Sequence, residues 1–318
     1  MNKALDKTNT FSLLRRYAGT ILFVVLIIGN IIVTPNFASV GTIRNIISQS
    51  CPVIMTAMGM TLVISTGGID ISVGAVMALG GILSTKLLGL GVFPAVIIAI
   101  IAGCCSGLIA GFFVGKLRIA PMVITLGLMI GVRGAAQLVN DGKTMFVEGP
   151  NKEAFEAIGS KTIFGQIPVQ IIPIIICIAI TYILVSKTIM GRQIQMVGDN
   201  ARASTLFGIN SIMVRMLVYV LNALFASTAG IITVAKLGAA DASTVGLLSE
   251  LDAIASVAVG GTSMSGGRAR VLGTLVGALT MQLITIMINM NNIPYEVSLI
   301  VKAIIIILAV YIQREKTE

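Results

Sequence analysis

The sequence predicts an all-α fold: a polytopic transmembrane helical bundle of about ten spans, some of them broken helices. Three observations carry this expectation. The chain is 56% hydrophobic and 11% charged over 318 residues, with mean hydropathy +1.00, which is far more apolar than a soluble domain of that length. Apolar runs of about 17 to 25 residues, enough to cross a bilayer, recur from residue 17 to residue 309. Glycine-rich polar stretches at 66–74 and 260–267 cut those runs where a helix has to break. One membrane domain, residues 1–318, uses the whole chain.

Lys3, Lys7, Arg15 and Arg16 mark residues 1–16 as a cytoplasmic tail by the positive-inside rule. The first span, 17–33, ends in Val33, Thr34, Pro35, Asn36 and Phe37 without a small-residue cleavage pattern, so it reads as a retained span and not a signal peptide. Residues 34–47 then lie outside. The second span, 48–65, carries Pro52 near its start and ends at the first break; a shorter third reaches residue 85, and 86–93 turn. The fourth, 94–114, runs inward to Lys116 and Arg118, Pro121 opens the fifth, and 141–166 form the longest outer loop. A sixth span, 167–186, leads to a polar loop at 187–215. The remaining spans lie at 213–235, 251–259, 271–288 and 293–312, with Arg268 and Arg270 before the ninth and Arg314 and Lys316 after the last. Every strongly basic loop then falls on one side, and both termini are cytoplasmic.

Composition excludes several classes. The net charge of +9 is scattered between apolar runs and not gathered into a basic stripe with aromatics, so no nucleic-acid partner is expected. Cys51, Cys104, Cys105 and Cys177 sit in apolar stretches without metal-site spacing or a disulfide framework and read as packing residues. Histidine and tryptophan are absent, which removes the commonest proton shuttle and metal ligand. Residues 111–116, GFFVGK, lack both the spacing and the hydroxyl residue of an ATP-binding P-loop. No nucleophile–base pair or cofactor fingerprint points to an enzyme, and no bound cofactor is expected. The scarcity of intramembrane carboxylates argues against a proton-driven pump.

In the loop 187–215, Asp199 or Asn200 can cap a short helix over 201–207, with Gly208 at the residue beyond its end. So short a helix is marginal in water and needs outside support. It presents Leu206 and Phe207 among Arg202, Ser204 and Thr205, which suits a hydrophobic groove on a soluble protein; a solvated loop helix is the equal alternative.

At the first break, Asp70 lies between Gly68 and Ser72. It is either a staple bonded by nearby backbone N–H groups or a substrate or gating residue. Gly67, Gly68, Ser72 and Gly74 align with Gly260, Gly261, Ser265 and Gly267, a possible duplication, and paired broken helices often line a transport path. Arg133, Gln137 and Asn140 make a polar stripe on the fifth span, available to a polyhydroxylated solute or to an ion pair with Glu250 or Asp252. Lys302 reads as snorkelling or paired. Asn45, Ser48, Gln49, Asn222, Gln282 and Asn289 serve as interhelix glue or line a path for a neutral polar substrate.

Three stretches together, TGGIDISVG at 66–74, ELDAIASVAVGGTSMSGG at 250–267 and GDNARASTLFGI at 198–209, resemble the membrane permease subunits of bacterial ABC importers for monosaccharides, the ribose, xylose, arabinose and galactoside group. TLGLMIGVRG at 125–134 extends the resemblance to nearly the whole chain. The resemblance implies cytoplasmic ABC ATPase subunits holding ATP and Mg, an extracytoplasmic sugar-binding protein, and a second permease copy or homologue, in the bacterial inner membrane. It also implies that the short loop helix is the coupling helix seated on the ATPase, with Gly198, Asn200, Ala203 and Gly208 matching the family pattern. Related permeases for nucleosides or branched-chain amino acids share this architecture, and a secondary transporter is the alternative of a different class.

Overall fold

In the computed structural model, residues 19–313 are described; the basic N-terminal tail and Arg314 and Lys316 lie outside the described residues. Nearly everything described is helix, as an apolar solvent demands when it cannot satisfy backbone polar groups. In order these are α1 (Gly19–Val33), α2 (Val40–Ser65), α3 (Val73–Lys86), α4 (Val92–Gly115), α5 (Pro121–Val139), α6 (Lys152–Ser160), α7 (Ile171–Lys187), α8 (Ile189–Asp199), α9 (Ala201–Leu206), α10 (Ser211–Leu237), α11 (Ser249–Val259), α12 (Val271–Met290) and α13 (Tyr295–Gln313). Two small antiparallel pairings complete the list: β1 (Met145–Phe146) with β4 (Ala239–Ala240), and β2 (Thr162–Ile163) with β3 (Ile167–Pro168). The expected outer loop 141–166 thus carries β1, α6 and β2.

Element starts differ from the sequence expectation where polar caps lie outside the apolar run. The second helix begins at Val40 and not near 48, because the Ser39 hydroxyl accepts from the Thr42 N–H at 3.1 Å and closes the helix's first turn. Each of the ten expected spans has its helix, α1 to α5, α7 and α10 to α13, but they are of unequal length. Among the described residues, α2, α4, α5, α10 and α12 are each long and apolar enough to cross a membrane, and the count is six when α7 and α8, bent by 75° to one another, are taken as one span.

The centre of the bundle is α10, packed on α2, α3 and α4. Between helices in lipid there is little hydrophobic driving force, so close van der Waals approach has to do the work. On α4 the small residues Gly103, Gly107, Gly111 and Gly115 recur every fourth position, and a Cβ on any of them would meet α10 at Ser227, Tyr219, Met216 or Ile212. Side-chain hydrogen bonds add to this, from Thr61 to Thr274 at 3.0 Å and from Gln282 to Gln49 at 3.2 Å, both joining α2 to α12. Gln49 and Gln282 are thereby glue.

Two helices cross only part of the way. α3 has 14 residues, about 21 Å at ~1.5 Å per residue, against a hydrocarbon core of about 30 Å. Its C-terminal end lies on the face that carries α6, where the Asn151 amide donates to the Leu88 carbonyl at 2.9 Å. α11 has 11 residues, about 16 Å, and ends on the opposite face. The N-termini of α3 and α11 meet between the two faces, where the backbones of Gly74 and Gly246 touch so closely that a Cβ on either would overlap the other's carbonyl.

Candidate functional site

The three sequence motifs converge at one end of the bundle. α2 and α11 finish with the same hydrogen-bond pattern: Gly67 N–H to Ile64 C=O (2.8 Å) with Gly68 N–H to Val63 C=O (3.2 Å), and Gly261 N–H to Ala258 C=O (3.0 Å) with Thr262 N–H to Val257 C=O (3.3 Å). Each pattern needs a left-handed residue just past the helix, supplied by Gly67 at φ +78° and Gly261 at φ +79°. The equivalence is therefore Gly67 with Gly261, not Gly67 with Gly260, and the sequence alignment is out of register by one residue. The shift removes the further matches: Ser72 falls opposite Gly266, and Gly74 opposite Arg268. What the breaks share is a helix-ending device, after which they diverge.

The two breaks are joined to each other and to α8. The Gly267 N–H donates to the Ser65 carbonyl at 3.1 Å, and the Ser265 carbonyl lies beside Gly67. Gly198, at the end of α8, fits flat against both, since a Cβ there would overlap the Ser65 carbonyl and stand 2.5 Å from the Gly267 nitrogen. Gly260 packs on the first turn of α12, where a Cβ would stand 2.5 Å from the Thr274 nitrogen. From this junction α9 projects. The Asn200 side-chain oxygen accepts from the N–H groups of Arg202 and Ala203, both at 3.0 Å, and Gly208 at φ +81° closes the other end, with its N–H on the Thr205 carbonyl at 3.1 Å. Of the two expected caps, Asn200 serves and Asp199 lies against Gly267. Both ends of the six-residue helix are satisfied locally, and it leaves Leu206 88% and Phe207 78% exposed.

From the junction the chain runs back into the bundle through Asp70. One carboxylate oxygen accepts from the Ser72 N–H (2.9 Å) and hydroxyl (2.6 Å), the other from the Asn222 amide of α10 (2.8 Å). Asp70 thus closes a turn onto Ser72, the residue before α3, and ties the break to the central helix, the staple geometry expected from its glycine and serine neighbours. Asn222 was read among the amides; that it holds Asp70 depends on a fold contact 152 positions away in sequence.

The polar stripe of α5 is put to a different use from an ion pair. Arg133 Nη1 donates to the carbonyls of Ala242 (2.6 Å) and Val245 (3.3 Å), and Gln137 reaches the Ser243 hydroxyl at 3.5 Å, so both brace the turn leading into α11. Asn140 folds back onto the Lys143 carbonyl at 2.7 Å. Arg133 feels the charge of Glu250 without forming a salt bridge to it among the described residues, because the turn's carbonyls lie closer. Asp252 pairs instead with Lys302 of α13, at 2.8 and 2.9 Å, which settles Lys302 as paired. Glu250 is 9% exposed, points at Gly74, and among the described residues has one carboxylate oxygen without a donor. Gly246 and Tyr219, which the sequence reading did not single out, complete the region: Gly246 by its contact with Gly74, and Tyr219 by its hydroxyl against Gly68.

Five apolar helices long enough to cross a membrane, among the described residues, mark a multi-pass membrane protein. The comparisons agree. The family described as branched-chain amino acid transport system / permease component matches residues 42–310. The galactofuranose transporter permease protein of Escherichia coli is 37% identical over 305 residues, 93% of this chain and 88% of that one. The ribose import permease protein of Escherichia coli is 37% identical over 288 residues, 89% of this chain and 88% of that one, and its Bacillus subtilis counterpart 37% over 300 residues, 93% and 91%. No solved structure matches the chain. The chain belongs to this family and is the permease component of a transport system, not an enzyme.

Proposed function

We propose that this chain forms the translocation path for a monosaccharide, a ribose-like pentose or a hexose, within an ATP-binding cassette importer of the bacterial inner membrane. The observation that carries this is the 37% identity, over 89% to 93% of the chain, to permeases named for ribose and galactofuranose. Specificity can rest in a separate extracytoplasmic sugar-binding protein, received on the face with α6, while the junction face and both termini lie in the cytoplasm.

Exposed Leu206 and Phe207 support docking of α9 on a cytoplasmic ATPase subunit, which would hold the ATP and Mg; residues 187–215 act as the coupling loop and this chain binds no cofactor. Closure of the nucleotide sites moves α9, and through Gly198, Asn200, Ala203 and Gly208 that movement reaches the breaks at Gly67–Gly74 and Gly260–Gly267. A second permease copy or homologue is supported by α5, where Gly127, Gly131 and Gly134 face open space. The test is reconstitution of the chain with its ATPase and receptor in liposomes. ATP-dependent uptake of labelled D-ribose or D-galactose supports the proposal. Preference for leucine, which the family description favours, would move the assignment to an amino-acid permease. Uptake by the chain alone without ATP would make it a secondary transporter.

A further inference from the structure

We propose that Glu250 is the sugar-contacting acceptor of the path, concealed in this conformation behind the Gly74–Gly246 contact and presented to a substrate hydroxyl when α3 and α11 part. The inference rests on the monosaccharide reading above.

The N-termini of two helices, α3 of 14 residues and α11 of 11, face one another there. The turn into α11 is held tight by Gly246 at φ +70° and Leu248 at φ +60°. Glu250, in the first turn of α11, is 9% exposed and aims Oε2 at the start of α3, ending 2.6 Å from where a Gly74 Cβ would sit. Among the described residues no donor reaches Oε2. An enclosed carboxylate oxygen without a donor is an exception that needs an explanation.

A backbone N–H already serves the Glu250 carboxylate, so among the described residues it is Oε2 that lacks a donor, while positive charge stands near it against the opposing charge of Asp252. Two helix N-termini bring partial positive charge to it, and the Arg133 guanidinium, fixed on the Ala242 and Val245 carbonyls, acts on it at longer range. A cation arriving there would meet those positive groups, and an anion would meet Glu250. A neutral hydroxyl donor meets neither objection, and a monosaccharide carries several. The neighbouring carboxylate, Asp252, is engaged by Lys302 and does not compete for that donor.

The contact in front of Oε2 is suited to opening. Its core is backbone against backbone between two glycines, Gly74 in the first turn of α3 and Gly246 in the turn before α11, with only the Met77 Cβ and the Glu250 carboxylate packed at its margins. Half-helices whose N-termini point at substrate near the bilayer midplane are a known transporter device.

The experiment uses the full importer, with its ATPase and receptor, in liposomes and compares wild type with Glu250→Gln. Labelled D-ribose and D-galactose are the probes, with single-deoxy analogues of whichever is transported. Glu250→Gln is expected to lower sugar uptake about tenfold while receptor-stimulated ATP hydrolysis continues, so that sugar moved per ATP falls. Wild type should discriminate against one deoxy analogue, and the variant should lose that discrimination. Wild-type uptake with unchanged analogue ranking in the Gln variant overturns the proposal. If the Gln variant does not assemble, Glu250→Asp, which keeps the charge and shortens its reach, takes its place with the same expected loss; failure of both to assemble assigns Glu250 to folding and also overturns it. Absence of any sugar uptake by wild type refutes the monosaccharide reading itself, an outcome distinct from a defect confined to the variants.

Discussion

A single carboxylate shows how this chain puts a charge inside an apolar bundle. Asp70 is 2% exposed and answers three donors, two from Ser72 and one from Asn222, so its lone pairs are used where no water can reach them. Asp70→Asn keeps one acceptor for Ser72 but turns an NH2 group toward the Asn222 NH2, so the Asn222 amide has to turn over to offer its oxygen, unpartnered among the described residues, and the charge-assisted bonds are lost. The expected loss is about 1–3 kcal/mol, read as a lower thermal midpoint of the purified permease in detergent. Combining Asp70→Asn with Asn222→Asp exchanges donor and acceptor and should recover part of that midpoint. An Asp70→Asn permease as stable as wild type but unable to transport would assign Asp70 to gating. The local half of this site was legible: an Asp flanked by glycine and serine can bond only so much by itself. The distant half was not, because nothing near position 70 names Asn222.

Among the elements, the spans were legible as apolar runs and their depth was not. A run such as α11 satisfies the pattern of a membrane helix, yet its 11 residues leave its first turn inside the bundle, and only packing against α3 reveals that. The Arg133 interaction was hidden for the same reason. Charge complementarity favoured Glu250 or Asp252, while the fold offered nearer carbonyls at Ala242 and Val245 and gave Asp252 to Lys302. That ion pair fixes α11 against α13 and has its own consequence. Lys302→Met leaves a carboxylate unpaired; because the Asp252 side chain keeps 25% exposure, the cost should be roughly 2 kcal/mol, below the ~3–5 kcal/mol of a fully enclosed pair. The double variant Lys302→Met with Asp252→Leu should lie nearer wild type in thermal midpoint than Lys302→Met alone. A double variant as unstable as the single one would mean that the pair is not what joins these helices.

For the molecule as a whole, the coupling proposed above asks that force applied at one face reach the place where α3 and α11 meet. α9 is well placed to receive it: it is capped by Asn200 and Gly208, and it leaves Leu206 and Phe207 largely exposed among the described residues. Gly198 is well placed to pass it on, because it rests directly on the end of α2 at Ser65 and on Gly267 in the segment between α11 and α12. Receiving and passing on can be separated. Leu206→Asp with Phe207→Asp changes only exposed side chains, so the fold should hold within about 0.5 kcal/mol while co-purification of the ATPase is lost. Gly198→Ala should do the reverse, since its methyl group lifts α8 from the Ser65 carbonyl without touching the exposed face of α9. The ATPase should still co-purify and hydrolyse ATP, but uptake per ATP should fall severalfold. Equal loss of ATPase binding in both variants would show that α8 and α9 form one docking surface, with no transmitting contact at Gly198.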